Sequence, residues 1–419
     1  MIAFGIILLA LLGVPLFAII GLSALVSFYN AEIDSAAIFV ELYRVASNPT
    51  LIAIPLFTLS GFILAHGKTP ERLTRISQSI FRDAPGGIPL AILLACAFFT
   101  ALTGASGVTI IALGGLLYPL LLKEKYGENF SLGLVTSSGS LGLLFPPSLP
   151  LILYGLVAQV SIDKLFIAGI VPGLLMIFII SAYALTRSPT RPHTAFNWPK
   201  AKSALIDSIW VLPLPFIVLG GIYGGFFTVT EAASVTVVYV IMVESLIYKD
   251  LNLTKDLSGL MRDSMMLVGT ILIILGTAMG FTNYLVDEQI PMAILETMKE
   301  YIHDPLTFLI VLNIFLLIVG CMMDIFSAII VVVPLIIPIA QSFDINMVHL
   351  GIIFLTNLEI GYSTPPVGIN LFIASTRFNK PVLNLYKAVL PFLTLRLIGL
   401  ALITYVPGIS LFLVNWIAN

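Results

Sequence analysis

Apolar residues run along this chain in long blocks separated by short charged segments. The first block covers residues 2–28, and an acidic connector holding Glu32, Asp34 and Glu41 follows it. A second predicted span, residues 51–65, leads into KTPERLTRISQSIFRD at residues 68–83. That stretch is too charged to span. Pro70 after Thr69 or Lys68 marks a helix start, and Leu73, Ile76, Ile80 and Phe81 make one apolar face, so the helix is expected to lie flat at the membrane interface. Residues 86–122 are apolar for about 37 positions, interrupted only by TGASGVT at 103–109. Two complete spans would need about 40 residues plus a turn. A re-entrant hairpin with its polar tip at residues 104–107 is the better fit, and two short full spans are the alternative.

The next apolar block breaks its own pattern. Residues 137–154, SSGSLGLLFPPSLPLILY, are too apolar for a soluble loop and too rich in Gly and Pro for an unbroken helix. Gly139 and Gly142 loosen the backbone, while Pro146 and Pro147 donate no backbone hydrogen bond and clash with a continuing helix. A broken membrane helix is predicted. Its freed backbone groups must be buried in protein or line a wet cavity. A second copy, TNLEIGYSTPPVGINLF at residues 356–372, lies 219 positions later. At that one offset, without a gap, Gly142 pairs with Gly361, Pro146 with Pro365 and Pro147 with Pro366. Gly61 also pairs with Gly280, Phe62 with Phe281, Ile110 with Ile329, Ile111 with Ile330, and Pro119 with Pro338. A fixed offset held over so many positions indicates an internal repeat.

The remaining blocks fill in around the two copies. Spans are predicted at residues 166–185, 208–223, 230–248 and 265–286, with a basic loop at 186–202 and a tight turn at Gly224 and Gly225. A flat acidic helix at 287–304, a second re-entrant hairpin at 305–341 with its tip near 320–327, and a last span at 388–416 complete the chain. The predicted units are an N-terminal span and connector (1–50), repeat 1 (51–165), linking spans (166–264), repeat 2 (265–387) and a C-terminal span (388–419). The fold class is an all-α polytopic membrane protein.

Composition agrees with that reading. At 59% hydrophobic and 10% charged residues the chain has too little polar surface to cover a globule in water. The formal charge of -2 and the absence of a basic tract give no reason to expect nucleic acid. Cys96 and Cys321 sit in apolar runs, which implies neither a disulfide framework nor a metal site. Met1 leads into an apolar run with no basic segment before it, and Pro15 interrupts that run, so the first segment is expected to stay as an anchor. With the N-terminus placed in the cytoplasm, 16 of the 20 basic residues fall on inner loops, only Arg44, Lys164 and Lys299 fall outside, and Arg396 lies within a span. The same orientation inverts the two repeats, so the hairpin tips approach each other near the midplane.

Inverted repeats whose broken helices meet at mid-membrane are the signature of a secondary transporter. Helix N-termini favour an anionic substrate, and unwound carbonyls with helix C-termini favour a small cation such as sodium. The candidate polar residues are Thr103, Ser106 and Thr109 at the first tip and Ser137, Ser138 and Ser140 at the first break. Asp324 and Ser327 stand at the second tip, and Asn357, Glu359, Ser363 and Thr364 at the second break. Ser and Thr in membrane helices commonly satisfy a neighbouring carbonyl, whereas an ionisable Asp324 in an apolar run points to a cation site or to holding the tip in shape. Glu231 and Glu244 are expected at the interface or packed on another helix, and Arg396 snorkelling to the interface or facing a partner. No Arg or Lys is assigned to a tip or break. The tip string GASG also resembles the serine motif of rhomboid proteases, which need a histidine inside a span; His66, His193, His303 and His349 all lie at segment ends or in loops. No enzyme activity is expected.

Four stretches together resemble the large membrane subunit of tripartite ATP-independent periplasmic (TRAP) transporters. They are GLLFPPSLPLILYG at 142–155, FFTVTEAASVTVVY at 226–239, MMDIFSAIIVVVPLIIPIA at 322–340 and LEIGYSTPPVGINLF at 358–372. The resemblance implies a sodium-driven, elevator-type importer of a small carboxylate or sulfonate. It places the hairpins and broken helices in a mobile domain, with the remaining spans and flat arm helices as scaffold. It further implies a soluble periplasmic binding protein and a small four-span membrane subunit as partners, neither of which the 419 residues leave room for as a fusion, and residence in the bacterial inner membrane among its lipids. By position, the first sodium neighbourhood holds Thr103, Gly104, Ser106, Gly107, Ser138, Gly139 and Gly142, and the second Gly320, Asp324, Ser327, Gly361, Thr364 and Pro365. The substrate neighbourhood draws on Ser106, Ser140, Pro146, Asp324, Ser363 and Thr364. Transported sodium is the sole cofactor implied. The alternative is a self-sufficient anion symporter of the divalent anion/sodium type.

Overall fold

Proline, glycine and capping side chains set where each helix stops. The computed structural model describes residues 9, 14–34, 36–81, 86–189 and 198–418, and these residues form helices and connecting turns with no strand among them. The start of the first predicted span and parts of the basic loop, including Arg191 and His193, lie outside the described residues. Helix α1 (Leu16–Asn30) begins after Pro15, and α2 (Ala36–Ala46) and α3 (Ala53–His66) follow. The amphipathic segment is α4 (Thr69–Phe81). Its buried residues include Leu73 and Ile76, while Ile80 faces outward, and it packs on α5 (Gly87–Thr103) and α11 (Trp198–Ser208). Polar contacts fix its start: the Thr69 hydroxyl donates to Glu244 at 2.7 Å, and Arg72 donates to Asp250 at 2.6 Å while lying 3.5 Å from the Tyr248 ring centre. Glu244 is therefore buried against another helix, as its sequence context suggested.

The first predicted hairpin is α5, α6 (Ser106–Ala112) and α7 (Gly114–Lys123), with a 52° bend between the last two. Gly104 ends α5 at φ +68°, a conformation that suits glycine, and its N–H donates to Thr100 O at 2.7 Å. The first broken helix is α8 (Glu128–Ser138) and α9 (Leu149–Ala158), bent by 45° and joined through a 3₁₀ turn at Leu141–Leu144. After α10 (Ile162–Thr186), the end of the segment read as loop, from Trp198 on, belongs to α11, and α12 (Leu214–Tyr223) is shorter than predicted. Helix α13 (Val229–Met242) is opened by a capping box in which Thr228 and Glu231 satisfy each other's backbone N–H, and it ends in a π-helical turn.

The second repeat runs through α14 (Leu257–Asp287), α15 (Ile290–Tyr301), the pair α16 (Pro305–Met322) and α17 (Ile325–Ser342), and the broken helix α18 (Met347–Gly361) and α19 (Ile369–Phe378). The peptide bonds Pro146–Pro147 and Pro365–Pro366 are both cis. The predicted last span is two helices, α20 (Val382–Tyr405) and α21 (Gly408–Ala418), because Pro407 cannot continue the first. By length and composition seven of the described helices could cross a membrane, or up to nine if each bent pair counts as one.

The repeat seen in the sequence is a repeat of contacts. A Cβ on Gly142 would lie 2.7 Å from Ala101 N, and one on Gly361 would lie 2.6 Å from Gly320 Cα. Both pairs share the offset of 219, so each break is pressed on its own hairpin at the same register. The repeats also cross-pack. Helix α17 of the second lies on α9 of the first, and α6 of the first lies on α19 of the second. Helix α20 packs along α8 and also touches α18 and α19, which puts it beside both breaks.

Candidate functional site

At the centre of this frame stands a charge the sequence reading did not place there. Arg396, from the middle of α20, is wholly buried, as are Glu359, Ser140 and Ser363. Arg396 Nη2 donates to Glu359 Oε1 at 2.8 Å and to Ser140 Oγ at 3.0 Å, and Nη1 donates to Ser363 Oγ at 3.4 Å. Ser140 Oγ in turn donates to the Glu359 carbonyl at 3.3 Å, and those two residues are repeat mates. Arg396 thus neither snorkels nor faces a partner. It ties both breaks together, which also corrects the expectation that no basic residue reaches them. A buried ion pair needs good geometry and further hydrogen bonds to offset desolvation, and the two serines supply part of these. Glu359 Oε2 and Arg396 Nε remain without a protein partner. The signal for this site was present: an ionisable group deep in an apolar helix is functional by default.

Around the first tip, Thr100 and Thr109 share a hydrogen bond of 2.6 Å, and Thr100 Oγ1 donates to Gly139 O at 2.9 Å. A Cβ on Gly139 would lie 3.3 Å from Ser106 O, so the tip and the first break meet. Thr103 is buried with its hydroxyl unpartnered, Gly104 abuts Leu149, and Gly107 abuts Ile373. Ser106 donates to Asn370 Oδ1 at 2.8 Å, on α19 of the other repeat. Ser138 turns elsewhere, donating to Val135 O at 3.1 Å and lying 3.3 Å from Cys96 Sγ. Pro146 is buried within its cis pair. Thr100 and Asn370 are the contacts that motif reading missed.

At the second tip Asp324 caps α17. Its Oδ1 accepts from Phe326 N at 3.0 Å and Ser327 N at 3.1 Å, and the Ser327 hydroxyl donates to Oδ2. Ile325 N donates to the Tyr362 hydroxyl, joining this tip to the second break. Gly320 and Gly361 bring the two backbones together. Thr364 Oγ1 donates to Ile360 O at 2.9 Å, beside the half-buried Pro365. Asn357 points away from the break. Its Nδ2 donates to Asn313 Oδ1 at 2.7 Å, Asn313 Nδ2 donates to Thr404 Oγ1 at 3.2 Å, and His349 sits between Thr404 O and Ser410 Oγ. That row fastens α18 to α16, α20 and α21.

The family model for the DctM component of tripartite ATP-independent periplasmic transporters matches residues 3–409. The chain belongs to this family. It is 37% identical over 406 residues to the C4-dicarboxylate TRAP transporter large permease protein DctM of Pseudomonas aeruginosa, covering 95% of this chain and 94% of that one. It is 34% identical over 427 residues to the protein of the same name from Vibrio cholerae, covering 96% and 94%. The isethionate TRAP transporter permease protein DctMQ of Oleidesulfovibrio alaskensis is 35% identical over 410 residues, which cover 96% of this chain and 64% of that one. Among solved structures, the YdaH transporter of Alcanivorax borkumensis superposes with a TM-score of 0.63 at 14% identity, over 90% of this chain and 88% of that one, which shows a shared fold. As a TRAP permease the protein is a multi-pass inner-membrane transporter and not an enzyme. Among its described residues no group of three or more His, Cys, Asp or Glu is placed to hold a metal.

Proposed function

We propose that this TRAP permease couples inward movement of sodium to import of a small organic anion, delivered by a periplasmic binding protein, through an elevator motion. The observation that carries the reading is the closed polar cluster of Ser140, Glu359, Ser363 and Arg396 where both breaks meet. A site sealed at the crossing of two repeats can exchange ligand with either side only if the frame around it moves. Because Arg396 fastens α20 to both breaks, α20 travels with them, in contrast to the scaffold role its position after the second repeat suggested. The hairpins are re-entrant in this reading, with the N-terminus cytoplasmic as the excess of basic inner residues supports. Oxygen-rich backbone between Ser106 and Gly139, and between Asp324 and Gly361, forms the two sodium neighbourhoods. The substrate carries a carboxylate or sulfonate, as the names of the C4-dicarboxylate and isethionate relatives support. A small membrane subunit is the second partner, a reading supported by the DctMQ relative, of which this chain spans 64%.

The test needs no substrate. A ligand that binds only the folded state stabilises it by RT ln(1 + [L]/Kd), about 2.7 kcal/mol at a hundredfold excess. The purified complex with its small subunit is expected to melt at higher temperature in sodium than in equal potassium or choline. Asp324→Asn keeps an acceptor for the cap but removes the charge, so it is expected to retain stability in potassium and lose part of the sodium response. Ser106→Ala is expected to lose part of it at the other tip. Identical melting in all three salts would sink sodium coupling.

A further inference from the structure

The two repeats build the same frame, so positions where they differ in polarity mark chemistry the frame does not require. At the contact of α6 with α19 stand Ser106 and Asn370, joined at 2.8 Å. Their repeat mates, on α17 and α9, which pack in the same way, are Ile325 and Leu151, both buried and both apolar. The frame is thus satisfied at the corresponding positions by two buried apolar residues. Burying an amide and a hydroxyl instead costs free energy unless every polar atom is bonded. Here one is not: Asn370 has no exposed surface, its Oδ1 accepts from Ser106, and its Nδ2, with two hydrogens to give, has no protein partner. Its backbone N–H is already donated to Tyr362 O at 3.0 Å, so the residue is held in place at the start of α19 while its amide remains free.

We propose that Asn370 is a specificity-determining residue for the transported anion, its Nδ2 donating to a carboxylate or sulfonate oxygen. The inference rests on the organic-anion reading above. An amide with one side engaged by Ser106 is oriented before the ligand arrives, because the hydrogen bond to Oδ1 fixes which way Nδ2 points. Neutral donors suit a cargo that must be released on the far side, since they hold an anion without the stronger grip of a charged partner. The donor is reached when the tip of α5 and α6 parts from α19. The anion then takes up the free N–H as the hydrogen bond from Ser106 to Oδ1 is released.

The experiment is uptake into proteoliposomes by the permease with its small subunit and binding protein, under an inward sodium gradient, using radiolabelled succinate, isethionate and ectoine as probes. Asn370→Asp places a carboxylate where the anion must sit and is expected to lower uptake tenfold or more. The variant Asn370→Leu installs the residue the other repeat already accommodates at this place and leaves Ser106 in its sodium neighbourhood; it is expected to fold, to keep its sodium-dependent rise in melting temperature, and to lose uptake equally. This second variant also answers any failure of the first to fold. Uptake at the unaltered rate by either folded variant overturns the role of Asn370 while leaving the transporter reading in place. No uptake of any probe by the unaltered complex overturns that reading, and this inference with it.

Discussion

Replacing Arg396 with methionine is expected to cost the folded protein about 3–5 kcal/mol and to abolish uptake, because the change leaves the carboxylate of Glu359 buried without its partner. Both side chains are wholly enclosed, so neither solvent nor salt relieves the loss. Ser140 and Ser363 lose their donor at the same time, which loosens both breaks. Adding Glu359→Gln should recover more than half of the stability, since a buried ion pair replaced by neutral groups of similar size is often nearly neutral. Uptake should stay lost, because the cross-link from α20 to the two breaks is gone. Thermal or chemical denaturation of the single and double variants, read beside sodium-driven uptake, separates these effects. Full uptake in a stable double variant would reduce the pair to a packing device.

Gly361→Ala is expected to be the next most damaging change. The added methyl would lie 2.5 Å from the carbonyl carbon of Gly320 and 2.6 Å from its Cα, and backbone cannot turn aside as a side chain can. The two helices must part, at a cost on the order of 1–3 kcal/mol or more. Gly361 immediately precedes Tyr362 and Ser363, so the displacement carries directly into the contacts with Ile325 N and Arg396. Gly142→Ala should behave alike, since its added carbon would lie 2.3 Å from Ala97 O. Gly259→Ala is the control. Nothing lies within 4 Å of its added carbon, and helix propensity favours alanine by up to about 1 kcal/mol. Melting temperatures of the three variants check the order, and equal stability of Gly361→Ala and Gly259→Ala would contradict the close approach.

Much of this architecture was legible because prolines and glycines act locally. Pro146, Pro147, Pro365 and Pro366 break their helices wherever the rest of the chain lies, and a constant offset exposes the duplication without any structure. The start of α4 was legible for the same reason, and its buried face in part: Leu73 and Ile76 are buried as read, while Ile80 turns outward because what α4 packs against is set by α5 and α11. The polar side chains were harder still, because a partner is a property of the folded chain. Arg396 meets Ser140 from 256 residues away, and only the packing of α20 across both breaks brings them together. Asp324 was read as a cation ligand or a shaping residue, and its visible work is capping α17. Asn370 lies inside the stretch 356–372 but past its two prolines, where it reads as an ordinary helix residue, and its meaning rests on comparison with Leu151. The division at Pro407 and the helical form of 198–208 were missed where continuous hydropathy or a basic run outweighed a local signal.

The most direct measurement is solute uptake by proteoliposomes holding the permease and its small subunit, with the binding protein outside, under sodium gradients of either direction. The account predicts accumulation only when the binding protein is present and the sodium gradient is inward, and none when potassium replaces sodium. Uptake of free solute by this chain alone, or uptake indifferent to sodium, would contradict it.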